Sequence, residues 1–319
     1  MVLIVSLDNL PDWLPAWCLD QLGDEPADVL FQRRQVSMVI GLRLAGGTDV
    51  VVKARADDGR AASCVAAQAR LAEHGFPCAR PLTPAVNLGS LAVHAEEFRP
   101  GGEVLTGDSP AVARRYAEVF ARLMAELADV TVPPPLPNPP WVRWDHADSG
   151  LWPAIEVLDN QDQSVVPAYI ADTAERTRHR MLAARAGGAA RADGLPCVLG
   201  YADFEAQNLR WHGQQVWAVH DWDSLAWQPE AALAGAASGT FASAGPPTLA
   251  PIGSSEAFLA AYQDIRGRLF TTIEQECAWA ASLWTAAFNS REEALHGSTK
   301  VCRDALRAQA AERLRRARA

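Results

Sequence analysis

Basic residues are in deficit in this chain of 319 residues: 29 Lys and Arg stand against 38 Asp and Glu, a formal net charge of −9. Nonspecific nucleic-acid binding draws its affinity from neutralised phosphates and needs the opposite balance, so no nucleic-acid partner is expected. The deficit suits a neutral or cationic small molecule instead. Long apolar runs are missing too. None approaches the ~20 residues a membrane span requires, so no membrane partner is expected. The N-terminus, Met1-Val2-Leu3-Ile4-Val5-Ser6-Leu7-Asp8, has no basic region and its apolar run breaks at Asp8, which is not the pattern of a signal peptide. The six cysteines (Cys18, Cys64, Cys78, Cys197, Cys277, Cys302) form no Cys-x-x-Cys pair and no Cys/His cluster with zinc spacing. They read as buried or free thiols of a reducing compartment, and a cytoplasmic location follows as the expectation.

What is present is globular. Hydrophobic residues make up 49% and charged residues 21%, and the length allows one large domain or two modest ones. Residues 36–44 and 50–53 read as two strands joined by the turn Ala45-Gly46-Gly47-Thr48-Asp49, with Lys53 closing the second strand on the face of Val51. A helix is predicted over 61–74, stopped by Gly75, with Cys64, Gln68 and Leu71 on its inner face. Residues 91–98 read as a further strand. Beyond residue 100 the pattern becomes helical. Ser109 and Pro110 open a helix to about Asp129 with an apolar stripe at Val112, Tyr116, Val119, Leu123 and Leu127. Further helices are predicted over 166–186, 255–268, 272–289 and 299–317, the third opened by a Thr271/Glu274 capping box. Residues 132–140 are a proline-rich connector, and the Gly/Ala/Ser/Pro-rich stretch 236–254 reads as a loop. The basic residues Arg313, Arg315, Arg316 and Arg318 read as a solvated helix face.

The chemistry concentrates in Tyr201-Ala202-Asp203-Phe204-Glu205-Ala206-Gln207-Asn208 and the later His220-Asp221-Trp222-Asp223. Asp203 follows Val198-Leu199-Gly200, a segment too short and mixed to read as a regular element. A carboxylate with an ordinary pKa there is able to orient a hydroxyl and accept its proton late in phosphoryl transfer. Asn208 opens a strand, His212-Gly213-Gln214 turns the chain, and Val216–His220 returns it, so a hairpin is expected to bring Asn208 and Asp221 to one end. Two hard oxygen donors there suit Mg2+ with phosphate co-ligands. Lys53, ending a Val-rich strand before a helix, is placed to reach nucleotide phosphates, although a lone strand-end lysine is more often a surface residue.

Together these residues resemble the aminoglycoside phosphotransferase family, which shares the protein-kinase-like fold with choline and homoserine kinases. The resemblance runs from about residue 30 to about residue 290. The family pattern His-Gly-Asp-x-x-x-x-Asn appears as Tyr201-Ala202-Asp203 through Asn208, and its later Asp-Trp as Asp221-Trp222. The hinge pattern Glu-aromatic-x-Pro-Gly appears as Glu97-Phe98-Arg99-Pro100-Gly101, and Leu-x-x-x-Gly-x-Pro as Leu71 through Pro77. The resemblance implies an α+β, two-lobed protein-kinase-like fold. A small β-rich nucleotide-binding lobe would span residues 1–98, and a larger helical lobe with the catalytic loop and acceptor pocket residues 99–319. It implies Asp203 as base, Asn208 and Asp221 on Mg2+, and ATP or GTP held by Lys53, Ser37, Gln68, Glu97 and Phe98.

The departures are specific. Tyr201 replaces the motif's His. The nucleotide loop, Arg33-Arg34-Gln35-Val36-Ser37, has no run of glycines and would cover the phosphates with Ser37 and backbone amides. The helix glutamate that pairs with the lysine falls at Cys64, so Gln68, one turn on, is left to bond Lys53 without neutralising it. On that reading Cys64→Glu would raise activity. The helical Asp after the second motif is absent, with only Glu230 nearby. For the acceptor, the carboxylates Glu205, Asp223 and Asp145 and the ring of Trp222 are candidates to hold an amine. Trp141, Trp144 and Trp152 are weighted towards packing. The function expected is an ATP- and Mg-dependent kinase phosphorylating a hydroxyl of an amino sugar, amino-alcohol or similar metabolite. The alternative is a weakly active nucleotide-binding pseudokinase with a regulatory or scaffold role. A hydrolase with Asp203 as nucleophile lacks a Gly-x-Ser-x-Gly elbow and a His partner.

Overall fold

The computed structural model describes residues 7, 10–34, 37–132, 136–186 and 194–319. Gln35 and Val36 of the expected nucleotide loop and residues 133–135 of the proline-rich connector lie outside the described residues. The chain divides into two compact units. The first comprises Met1–Gly102, Val130–Leu136 and Trp217–Asp223, and the second Glu103–Asp129, Pro137–Val216 and Ser224–Ala319.

In the first unit, helix α1 (Leu14–Leu22) precedes strands β1 (Pro26–Arg34), β2 (Met38–Leu44) and β3 (Asp49–Ala56), then helix α2 (Ala61–Glu73) and strands β4 (Val86–Leu88) and β5 (Leu91–Glu97). The five strands form an antiparallel sheet in the order β1-β2-β3-β5-β4. Side chains alternate across a strand, so each strand contributes one residue set to each face. Ile40, Leu42 and Leu44, Val50, Val52 and Ala54, and Val93 and Ala95 share one face and pack against Leu14, Trp17 and Cys18 of α1. Each large aliphatic buried there contributes about 2 kcal/mol. The intervening residues, Val51, Lys53 and Arg55 with Ala92, His94 and Glu96, occupy the opposite face. Alternation thus gives β3 one structural face and one polar face. Helix α2 ends as its glycine dictates: Gly75 adopts φ +76°, and Phe76 N–H donates to Leu71 O at 2.9 Å. Helix α1 and strand β1 carry no counterpart among the sequence expectations.

The second unit is built on helices α3 (Pro110–Leu127), α4 (Glu156–Asp159), α5 (Ala168–Ala186), α6 (Glu230–Thr240), α7 (Ile252–Arg266), α8 (Thr272–His296) and α9 (Val301–Ala317). Ser109 caps α3, accepting from Val112 N–H at 3.3 Å, and the Thr271/Glu274 capping box opens α8. Strands β6 (Cys197–Tyr201) and β9 (Leu225–Pro229) pair antiparallel, so the segment before Asp203 is a regular strand after all. Tyr201 stands opposite Leu225, 24 residues on in the chain, a pairing that no local pattern marks. Strand β7 (Leu209–His212) is followed by a turn at Gly213, and strand β8 (Gln215–Val219) begins in this unit and continues as residues of the first.

Two expectations are corrected here. Residues 236–240 belong to helix α6, not to a loop. Their small side chains let α6 lie against α8: a Cβ on Gly235 would stand 2.1 Å from Ala278 O, a separation no real contact tolerates. Arg313 is not on a solvated face. It is fully buried, donating to Ser282 Oγ at 2.8 Å, Ala250 O at 2.6 Å and Ser255 Oγ at 2.9 Å. Burial, reinforced by the neighbouring Arg316, draws its pKa down to about 9.

Candidate active-site residues in each unit

In the first unit the polar face of β3 and β5 assembles a charged cluster. Lys53 stands opposite His94 and Val51 opposite Glu96, so Lys53 and Glu96 are diagonal neighbours on one face. Lys53 Nζ meets Glu96 Oε1 at 2.9 Å, and both side chains are largely buried. Gln68 of α2 donates to the other Glu96 oxygen at 2.8 Å and to Ala79 O at 2.8 Å. The expected Gln68–Lys53 bond is therefore replaced: the amide holds the carboxylate, and the carboxylate holds the ammonium. The lysine is not a surface residue, and its ionic partner is on a strand, not at Cys64.

The electrostatics agree with an ionised pair. Burial pulls the Lys53 ammonium down, but Glu96, Asp221 and Asp223 outweigh it and hold its pKa above the ordinary lysine value. Burial pushes Glu96 up, yet Lys53, His94 and the Gln68 amide bring it below the usual carboxylate value. His94, buried beside Lys53, is pushed down to about 4 and is neutral at physiological pH.

Asp221, Trp222 and Asp223 follow β8 and belong to this unit. Asp221 has φ +65°, a left-handed conformation that a non-glycine residue adopts at some cost and that is found preferentially at functional sites. Asp223 accepts from Arg55 Nη1 at 2.7 Å, and its carbonyl accepts from Arg60 at 2.8 Å. Burial raises the Asp223 pKa, but hydrogen bonding with Asp221 and the charges of Arg55, Lys53 and Arg60 leave it depressed. Ser37, Lys53, Cys64, His94 and Asp221 line one cavity of the unit, together with Gln68. Trp222 contributes to the wall of the same cavity. It is buried, its indole N–H donates to Val219 O at 3.0 Å, and it packs edge-on against Phe76. Asp223 lines this cavity too, with its carboxylate held by Arg55.

At the end of β5, Glu97 pairs with Arg80 at 2.8 Å and Phe98 packs against Phe31. Arg99 donates to Cys78 O at 2.6 Å and lies over the Trp217 ring, whose indole N–H donates to Pro100 O at 3.1 Å. The segment 97–101 is thus tied to the rest of the first unit.

In the second unit, Asp203 follows β6 in a loop secured on both sides. Ala202 N–H donates to Ser224 O at 2.8 Å, and the buried Phe204 sits among Tyr116, Phe120 and Phe258. Tyr201, in the motif's His position, is fully buried edge-on to Phe204. Asn208 Nδ2 donates to Asp203 Oδ2 at 2.8 Å and to Asp203 O at 2.9 Å. The five-residue spacing therefore closes into direct contact, with one amide fixing both backbone and carboxylate. Glu205 accepts from Gln207 at 2.6 Å and is mostly buried. Asp145 forms an ion pair with Arg185, so its charge is already matched within the unit.

Sequence reasoning missed Glu96 and Phe204. The sequence signals that Lys53 has a partner, but not which residue it is. Only two residues of the chain are lysine, Lys53 and Lys300, all other side-chain cations of the Lys/Arg set being arginine. A compact ammonium retained at Lys53 implies a specific partner, and Glu96 lies on a strand that alternates His94, Glu96. Phe204 was quoted in the motif but not read as the loop's anchor.

No family model matches the chain, and no curated protein matches it by sequence. Solved structures do match: the fold is that of the aminoglycoside phosphotransferases and related small-molecule kinases, as the α+β kinase-like expectation required. An amicoumacin kinase in complex with AMP-PNP, Ca2+ and Ami has a TM-score of 0.60 at 11% identity, covering 91% of this chain and 89% of its own. A thermostable mutant of the aminoglycoside phosphotransferase APH(4)-Ia, in a ternary complex with ADP and hygromycin B, has a TM-score of 0.56 at 12% identity over 95% and 98%. A Thermobifida fusca protein assigned as a fructosamine-3-kinase has a TM-score of 0.55 at 17% identity over 95% and 98%. No described helix is long and apolar enough to cross a membrane.

Proposed function

We propose that the chain is an ATP-dependent small-molecule kinase, transferring the γ-phosphoryl group to a hydroxyl of an amine-bearing acceptor such as an amino sugar or amino-alcohol. The observation that carries this reading is the Asp203–Asn208 contact, a carboxylate held by an amide on an anchored loop. The fold likeness to proteins solved with AMP-PNP, or with ADP, supports it.

In this reading the first unit holds the nucleotide, with Lys53 on the phosphates, Ser37 beside them and segment 97–98 against the base. Asp203 orients the acceptor hydroxyl and accepts its proton as the new O–P bond forms and the bond to the β–γ bridging oxygen breaks, releasing ADP. Each unit offers an oxygen donor of the kind a hard divalent cation takes. Asp221 offers a carboxylate, and Asn208 spends its amide N–H on Asp203, leaving the amide oxygen as the donor for a metal. Bound Mg2+ would neutralise the charge that accumulates on the phosphate oxygens. The pseudokinase alternative drew its support from Cys64 and from the glycine-poor nucleotide loop, and a lysine paired with Glu96 answers the first of these. Glu205 remains the acceptor-side carboxylate, and a cytoplasmic site of action suits an ATP-dependent enzyme.

The test is ATP consumption against a panel of amino sugars and amino-alcohols. Consumption is expected to rise severalfold with at least one acceptor and to require Mg2+. Equal consumption with every acceptor and with none would contradict the reading.

A further inference from the structure

Lys53 is held by a carboxylate that none of the sequence motifs includes. Glu96 is 3% exposed, and a carboxylate that deep persists as an anion only with a matched cation and filled hydrogen bonds. Both conditions are met: Lys53 at 2.9 Å on one oxygen, Gln68 at 2.8 Å on the other. The ladder between β3 and β5 sets this geometry, because Lys53 and Glu96 are one diagonal step apart in paired strands. Helix α2 presents Cys64 and Gln68 to the cavity that Lys53 lines, and Gln68 bonds Glu96, so it offers the pair an amide and no carboxylate.

We propose that Glu96 is the positioning residue for Lys53, fixing the ammonium for the nucleotide phosphates from within the sheet in place of a helix carboxylate. This rests on the kinase reading above. An ammonium has three donors and Glu96 occupies one, so the pairing aims Lys53 without consuming it. With a sheet-borne anchor, the hydrogen bond that α2 gives to the Lys53–Glu96 pair is the one from Gln68. The titratable and charged groups facing the pair are His94 and Arg55 on the sheet, Arg60 and Cys64 at α2, Cys78 after it, and Asp221 and Asp223 after β8.

The chain's lysine content makes the test direct. Reductive methylation followed by peptide mass spectrometry reports Lys53 and Lys300 separately, with the exposed Lys300 as internal reference. In the wild-type protein the Lys53 labelling midpoint is expected above that of Lys300, and MgADP should protect Lys53. In Glu96→Gln burial is no longer offset by Glu96. The midpoint should then fall by at least about one pH unit and MgADP protection should weaken about tenfold. A Glu96→Gln protein with an unchanged midpoint and unchanged protection overturns the proposal, as does one that only melts earlier. Should Glu96→Gln not fold, Gln68→Met keeps the ion pair and removes one of its supports. A smaller drop in midpoint and protection then supports the proposal, and no drop in either overturns it. Absence of MgADP protection in the wild-type protein, with the raised midpoint intact, overturns the nucleotide reading instead.

Discussion

Asp203→Asn is expected to slow phosphoryl transfer roughly 1,000-fold, about 4 kcal/mol in barrier, while leaving MgATP affinity within about twofold. The substitution is nearly isosteric. Asn208 Nδ2 still finds an oxygen at position 203, since the side-chain amide retains one acceptor, and its second bond goes to the unchanged Asp203 backbone carbonyl. The loop stays anchored by Phe204 among Tyr116, Phe120 and Phe258 and by the Ala202–Ser224 bond. What is lost is the capacity to accept a proton from the acceptor hydroxyl. Single-turnover transfer and equilibrium nucleotide binding, measured on the same preparation, separate these effects. Transfer retained within tenfold would remove Asp203 from the role of base.

Cys64→Glu is expected to reduce both stability and activity, the reverse of what motif comparison alone implies. Restoring a helix glutamate would help only if Lys53 lacked a carboxylate, and Glu96 already stands 2.9 Å from it. Cys64 is 2% exposed, and burial is the leading cause of its raised thiol pKa, with Asp223 adding to it and Arg60 and Arg55 opposing. A longer, anionic side chain there must either stay protonated or compete with Glu96 and Asp223 for the same cations. The cost is on the order of 3 kcal/mol, and a misplaced Lys53 adds a several-fold loss of turnover. Thermal unfolding and ATP consumption check this. A Cys64→Glu protein that is as stable as the wild type and faster would mean that Glu96 is not the effective partner.

How much could be read beforehand differs between elements for physical reasons. Helices α3 and α8 announce themselves through Ser109-Pro110 and Thr271/Glu274, because capping is a local interaction written within four residues. Helix α2 was legible through Gly75 and its inner face of Cys64, Gln68 and Leu71. Strands β6 and β9 were not, because each becomes a strand only through the other. Helix α6 was misread because Gly and Ala weaken an isolated helix, while here they permit close approach to Ala278 and so favour a packed one. In the site, Asp203 and Asn208 were legible because five residues of chain bring them into contact. Glu96 was not, because its meeting with Lys53 depends on the β3–β5 register, with an intervening helix and strand between them in sequence. The same register places the partner on a strand where motif comparison looks to a helix.

The central claim is a magnesium-assisted nucleotide site built around Lys53 and Asp221. Calorimetric titration of ATP into the wild-type protein, with Mg2+ and then with the metal chelated, tests it most directly. The account predicts saturable one-to-one binding that weakens at least about tenfold on chelation. ATP affinity that is indifferent to Mg2+, or no binding in either condition, would contradict it.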